Sequence, residues 1–148
     1  MGRFGKFFAL SPADRRLLIQ AWIVLAAMRV ALRTVPLARL CKLASRSRSI
    51  GDRDLPSVEA IVRAVDRASS VIPGGQNCLL RALTAELMLR RANYKSELKI
   101  GVSKPPGGEF RAHAWVEIAG EIVIGEFESG EYVTLAGPAV WLRGGALH

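Results

Sequence analysis

Apolar and polar positions divide the chain into a helical first part and a strand-rich second part. Ser11-Pro12-Ala13-Asp14 has the marks of a helix start: a capping hydroxyl, a proline at the first helical position and an acid in the first turn. Leu17 to Met28 is then apolar nearly all round, broken only by Gln20. That run is shorter than the roughly 20 residues a membrane span needs, so it predicts a helix buried on several sides, with membrane-surface attachment as the alternative. Pro36 interrupts the pattern, and Leu37, Leu40, Cys41 and Leu43 predict a second, short helix in which Cys41 packs into the core. Val58, Ile61, Val62 and Val65 give Pro56 to Ser69 an amphipathic period, with Asp54 available as its cap. Leu79, Leu80, Leu83, Leu87 and Met88 predict a longer helix from Cys78 to about Ala92, stopped by a left-handed Asn93.

From Lys95 the period falls to that of a strand. Strands are predicted at Glu97 to Ser103, Arg111 to Ile118, Glu121 to Glu126 and Tyr132 to Leu135, with Ala119-Gly120 as a two-residue turn. Read as an antiparallel meander, they imply an α+β fold: N-terminal helices and the Cys78 helix packed on an antiparallel sheet. The organisation expected is one compact unit, with an N-terminal helical region and basic Ser45–Ser49 linker over residues 1–50 and the remaining domain over 51–148.

Charge adds an asymmetry to this picture. The 148 residues carry a formal +8, and Lys and Arg exceed Asp and Glu by 13 to 5 in residues 1–67 but match them, 8 to 8, in 68–148. Such a basic half suits an acidic peptide, an anionic membrane surface or nucleic acid, or forms solvated helix faces. No zinc ligand set, phosphate loop or RNA-binding aromatic signature accompanies it, so nucleic acid is not expected. Two cysteines in unlike contexts, with no secretory signal before them, point to a reduced, cytosolic setting.

The candidate chemistry centres on Pro73-Gly74-Gly75-Gln76-Asn77-Cys78. Asn77 is a favoured N-cap, which would put Cys78 in the first turn, where unpaired N–H groups and the helix dipole favour a thiolate. The same N–H groups, or Gln76 and Asn77, could hold and position an oxyanion. A buried, inert cysteine is the competing reading. His113 is the one internal histidine and the one candidate base, which together with Cys78 makes the pair used in covalent acyl transfer. If the Ala119-Gly120 turn pairs Ile118 with Glu121 and the ladder continues unbroken, Glu126 falls opposite His113 and could orient its imidazole. A one-residue slip would remove Glu126 from that face. This chemistry requires no metal or organic cofactor.

Cys78-Leu79-Leu80-Arg81-Ala82-Leu83, Leu98-Lys99-Ile100-Gly101-Val102, His113-Ala114-Trp115-Val116-Glu117 and Val123-Ile124-Gly125, in that order, together with the Leu10 to Leu18 start, resemble the transglutaminase-like leader peptidases of lasso-peptide biosynthesis. The resemblance implies a transglutaminase-like, papain-like core and a cysteine protease that frees a ribosomally made precursor from its leader for a separate macrolactam cyclase. It also implies a separate leader-recognition protein as partner, with Cys78 as nucleophile and His113 as base. The third position departs from the aspartate common in such triads. Two other readings stay open: another transglutaminase-like acyl transferase, and a non-catalytic basic module that binds peptide or nucleic acid.

Overall fold

The structure, a computed structural model, describes residues 9–47, 51, 54–75, 77–103, 106–126 and 133–135. The basic stretch at 48–50, Gln76 and Tyr132 lie outside the described residues. Helix α1 (Pro12–Thr34) starts as its sequence dictates, with Ser11 accepting from the Asp14 N–H. Helix α2 (Leu37–Arg46) follows Pro36, and α3 (Val58–Val71) and α4 (Cys78–Arg91) complete the helical part.

Two details depart from expectation. The cap of α3 is Ser57, whose hydroxyl accepts from the Ala60 N–H at 3.2 Å, not Asp54. Asp54 lies four residues before α3, at a left-handed φ of 30°, too far along the chain to reach the first free N–H groups. The other concerns α1, which at 23 residues is long and apolar enough to cross a membrane by length and composition. In this fold it serves as a core helix: Leu17, Leu18, Ala21, Val24, Leu25 and Met28 are buried, and it packs on α3 and α4. Its outer face leaves Ile19, Ile23 and Val30 exposed.

Helix α4 is the centre of the molecule. Leu80, Ala82, Leu83, Thr84, Ala85, Glu86, Met88 and Leu89 are buried, covering several sides of the cylinder rather than one stripe. Helices α1, α2 and α3 cover part of that surface and the sheet covers the rest. The helix ends as its sequence predicts. Asn93 takes φ 65°, its N–H reaches the Arg90 carbonyl, and the Tyr94 N–H reaches that of Leu89, the paired bonds of a Schellman stop.

Strands β1 (Ser96–Ser103), β2 (Arg111–Ile118), β3 (Glu121–Ile124) and β4 (Val133–Leu135) form an antiparallel sheet in the order β3-β2-β1-β4. The first three strands are the expected meander. The fourth is not: it crosses to the far edge of β1, pairing Ile100 with Leu135 and Val102 with Val133, which gives the Greek-key order. The tight turn is as read, with Ala119 and Gly120 at φ 52° and 83°, the primed geometry that suits the twist of the hairpin.

Leu98, Ile100, Ala114, Val116, Ile118 and Ile124 join the helices in one apolar core that runs from Leu17 to Ile124. An α+β architecture with the cysteine-bearing helix on an antiparallel sheet is therefore what the chain forms. The cap assignment has a direct test by denaturant unfolding: Ser57→Ala is expected to cost about 1 kcal/mol, whereas Asp54→Ala should cost clearly less. Equal losses would contradict it.

Candidate active site

The start of α4 is built by backbone contacts from two other helices. Gly74, at φ 72°, turns the chain, and the Gly75 N–H bonds to the Ile72 carbonyl at 2.8 Å. A Cβ on Gly75 would meet the Ser69 carbonyl and would lie 2.8 Å from that of Ile72, so only glycine lets the turn press against the end of α3. Arg29, from α1, donates to the Pro73 carbonyl. Arg81 in the first turn pairs with Asp66 of α3, a partly exposed contact of modest worth.

Asn77 is the N-cap, with its Oδ1 accepting from the N–H groups of Leu79 and Leu80 at 3.0 and 3.2 Å. Its carbonyl takes the Arg81 N–H at 3.0 Å. The Asn77 N–H reaches the Gly74 carbonyl at 3.4 Å, so of the four N–H groups at the helix start the one left is that of Cys78, for which no acceptor stands among the described residues. Cys78 is half-buried at the first helical position, with its own backbone donor beside the side chain. An anion bound next to the sulfur would find that donor and the positive helix end together. Cys41 is the opposite case. It is 5% exposed, and burial, with the Glu86 carboxylate adding to it, pushes its thiol above the ordinary range.

His113 stands third in β2. Its Nε2 lies 2.7 Å from the Gly125 carbonyl oxygen, and its ring stacks with that of Trp115, centroids 6.2 Å apart and planes 20° from parallel. Trp115 Nε1 in turn donates to Glu117 Oε1 at 2.7 Å. These three side chains share one face of β2. Ala114 and Val116 take the other face, where they belong to the core shared with α4, and Cys78 packs against that same core. The structure thus brings the cysteine helix against the histidine's strand. Strand alternation, however, does not point the imidazole at the thiol.

The register that placed Glu126 opposite His113 is corrected. Ile118 pairs with Glu121 and Glu117 with Ile122, as an unbroken ladder requires, but Val116 pairs with Ile124. One extra residue, Val123, is accommodated as a bulge, and each bulge shifts everything beyond it by one. The strand then ends at Ile124, and Glu126 is exposed beyond it. The main-chain carbonyl of Gly125 comes to the imidazole, a contact that the sequence reading did not anticipate. Its signal was present: a glycine after three apolar residues at a strand end marks a close backbone approach. Gly125 has φ 86°, and a Cβ there would sit 2.7 Å from the Ala114 carbonyl and 2.9 Å from Trp115 Cβ. Among the described residues no group of three or more His, Cys, Asp or Glu side chains is placed to hold a metal ion.

A capped helix opening on a cysteine, packed on an antiparallel sheet that carries a histidine on its second strand, defines the protein as a thiol-bearing α+β domain. Comparison with protein families agrees: residues 22–136, well over half the chain, match the transglutaminase-like superfamily. The chain belongs to that superfamily. No curated protein matches it, and no solved structure does.

The two cysteines should be separable by chemistry. At neutral pH, iodoacetamide is expected to label Cys78 in the native protein while Cys41 stays unmodified until the chain is unfolded, as read by peptide mass. Native-state labelling of Cys41 at a comparable rate would contradict the packing described above.

Proposed function

We propose that this protein is a cysteine peptidase that removes the leader from a ribosomally made lasso-peptide precursor. The observation that carries the reading is Cys78 itself, first in a capped central helix with its own N–H still available, in a chain of the transglutaminase-like superfamily. The likeness of the Cys78, His113 and Val123–Gly125 segments to leader peptidases narrows the reaction to leader removal.

In this reading His113 takes the thiol proton and the Cys78 sulfur attacks the carbonyl carbon at the leader's end. The oxyanion forms beside the Cys78 N–H. Collapse breaks the C–N bond, with the imidazolium proton passing to the departing amine, which becomes the new terminus of the core peptide. Water then attacks the thioester, His113 takes its proton, and the leader departs as a carboxylate while the thiol is restored. Glu126, exposed one residue beyond the carbonyl that meets His113, contributes charge rather than aim.

A separate leader-recognition protein is the partner that fits, and the basic first part of the chain is the surface offered to it. On α1 the exposed Ile19, Ile23 and Val30 lie among Arg16 and Arg33.

Precursor incubated with the recognition protein and each variant provides the test, read by mass. Cys78→Ala is expected to abolish cleavage and keep the fold, while Cys41→Ala cleaves nearly normally. Processing that survives Cys78→Ala overturns the mechanism.

The partner has its own signature. At limiting concentrations the partner-dependent rate should fall as salt rises, because exposed charges are screened within about 10 Å at 0.1 M, and Ile23→Asp should weaken it without changing the unfolding midpoint by much. Full, salt-independent activity in the partner's absence would count against this surface.

A further inference from the structure

We infer that a row of small apolar side chains across the sheet, Ala112, Val102 and Val133, is the subsite for an apolar side chain of the peptide beside the bond cut at Cys78. The inference deepens the peptidase reading and rests on it for the identity of the occupant.

The row is defined by register. Val102 pairs with Ala112 on one side and with Val133 on the other, and directly opposed residues of neighbouring strands share a face. Two residues further along the same strands Ala114 lies opposite Ile100, and two beyond those Val116 lies opposite Leu98. Those four belong to the core shared with the helices, so all three rows lie on the helix side of the sheet. Burial declines along them. Val116 and Leu98 are 0% and 2% exposed, Ala114 is buried and Ile100 half-buried, whereas Val102 is half-buried, Ala112 exposed and Val133 72% exposed. The helical cover therefore runs out at the row of Ala112.

That is also where α4 begins. Arg90, in its last turn, donates to the Ser96 carbonyl, and only residues 92–95 join the helix to β1, so α4 runs back along β1 from the Ser96 end. Its 14 residues span about 20 Å. A strand covers that distance in about six residues, which brings Cys78 to the level of Val102.

The chemistry and size of the row select its occupant. None of the three side chains carries a charge or a hydrogen-bonding group, so the complementary group is apolar. About 10 Å long and one side chain wide, the row is several times smaller than the roughly 800 Å² that each partner gives to a stable protein interface. It suits one or two side chains of an extended chain. The row is continuous with the start of the cysteine helix, and the residues flanking a bond under attack by the Cys78 sulfur are tethered beside it.

The test compares two alkylating probes on the full chain at neutral pH, iodoacetamide and N-benzyl iodoacetamide, with glutathione as the free-thiol reference. Both probes attack the same sulfur, so thiolate fraction and nucleophilicity cancel in the ratio of their rates at Cys78, read by peptide mass. The remainder is contact made by the benzyl group. The benzyl-to-iodoacetamide ratio is expected to exceed that of glutathione by about tenfold. It should fall to within about twofold of glutathione in Ala112→Asp, which sets a charge in the row, and by about threefold in Val102→Thr, which keeps shape and strand preference while adding a hydroxyl. Circular dichroism checks that both variants fold. In the precursor assay Ala112→Asp should raise KM about tenfold with kcat within about threefold of the parent.

A ratio equal to that of glutathione in the parent chain, or a high ratio that survives both substitutions, overturns the inference. The labelling ratio needs no turnover. A high ratio removed by Ala112→Asp, in a chain that fails to cut the precursor, keeps the subsite and loses the peptidase reading. Cleavage by a chain whose ratio matches glutathione keeps the peptidase reading and overturns the subsite.

Discussion

Everything at the candidate site depends on how the first turn of α4 is held. Helix N-termini leave four N–H groups without internal partners, and here the Asn77 side chain takes those of Leu79 and Leu80 while the Asn77 N–H itself reaches the Gly74 carbonyl at 3.4 Å. The cap is itself fixed from outside the helix. Gly75 lies against the last turn of α3, and Arg29 holds the Pro73 carbonyl from α1. A cysteine placed at this point has little freedom of backbone position, and acyl transfer depends on that restriction, since misplacement of about 1 Å can cost a hundredfold in rate. The N-terminal helices thus have a structural part in the site even though none of the candidate reactive side chains lies on them.

The far end of α4 is tied by a different device. Glu86, 1% exposed, accepts from Arg90 Nε at 3.0 Å one turn on, and Arg90 also donates to the Ser96 carbonyl at the start of β1. A buried carboxylate is costly unless paired and hydrogen-bonded, so this chain of contacts makes the helix-to-sheet connection specific. Together with the Schellman stop at Asn93, it fixes where β1 begins, and through β1 the position of β2 and His113. The two ends of one helix therefore set both halves of the candidate chemistry. The Cys78 end is set by the α3 turn and the His113 strand by the Glu86 end.

Much of this was legible in the residues, and what was not has identifiable causes. Helix and strand periods placed the elements within a residue or two, because burial on one side leaves a repeat of 3.6 or 2 in the apolar pattern. The N-cap at Asn77 and the primed turn at Ala119-Gly120 were readable because few residues serve those geometries. Pairing partners were not, since a three-residue strand such as β4 carries nothing that says which edge it joins. The bulge was hidden for a related reason. Ile122, Val123 and Ile124 are all apolar, so alternation gives no polar position from which to see that one residue is extra. Ser57 displaced Asp54 as cap because both are good caps and only the position of the first helical turn decides between them.

That single hidden residue changes the chemistry more than it changes the fold. With or without it β3 lies beside β2, although without it Val123 rather than Ile124 would oppose Val116 on the core face. Counted from the turn, an unbroken ladder presents a carboxylate to His113, and the bulged one presents a peptide carbonyl. The bulge thereby decides which part of the β3 end lies beside the imidazole. In the surroundings of Cys78 the described stabilising groups for an anion are the helix start and the Cys78 N–H, both on α4. The side of the pair that the fold invests in, through Asn77, Gly75 and Arg29, is accordingly the cysteine side.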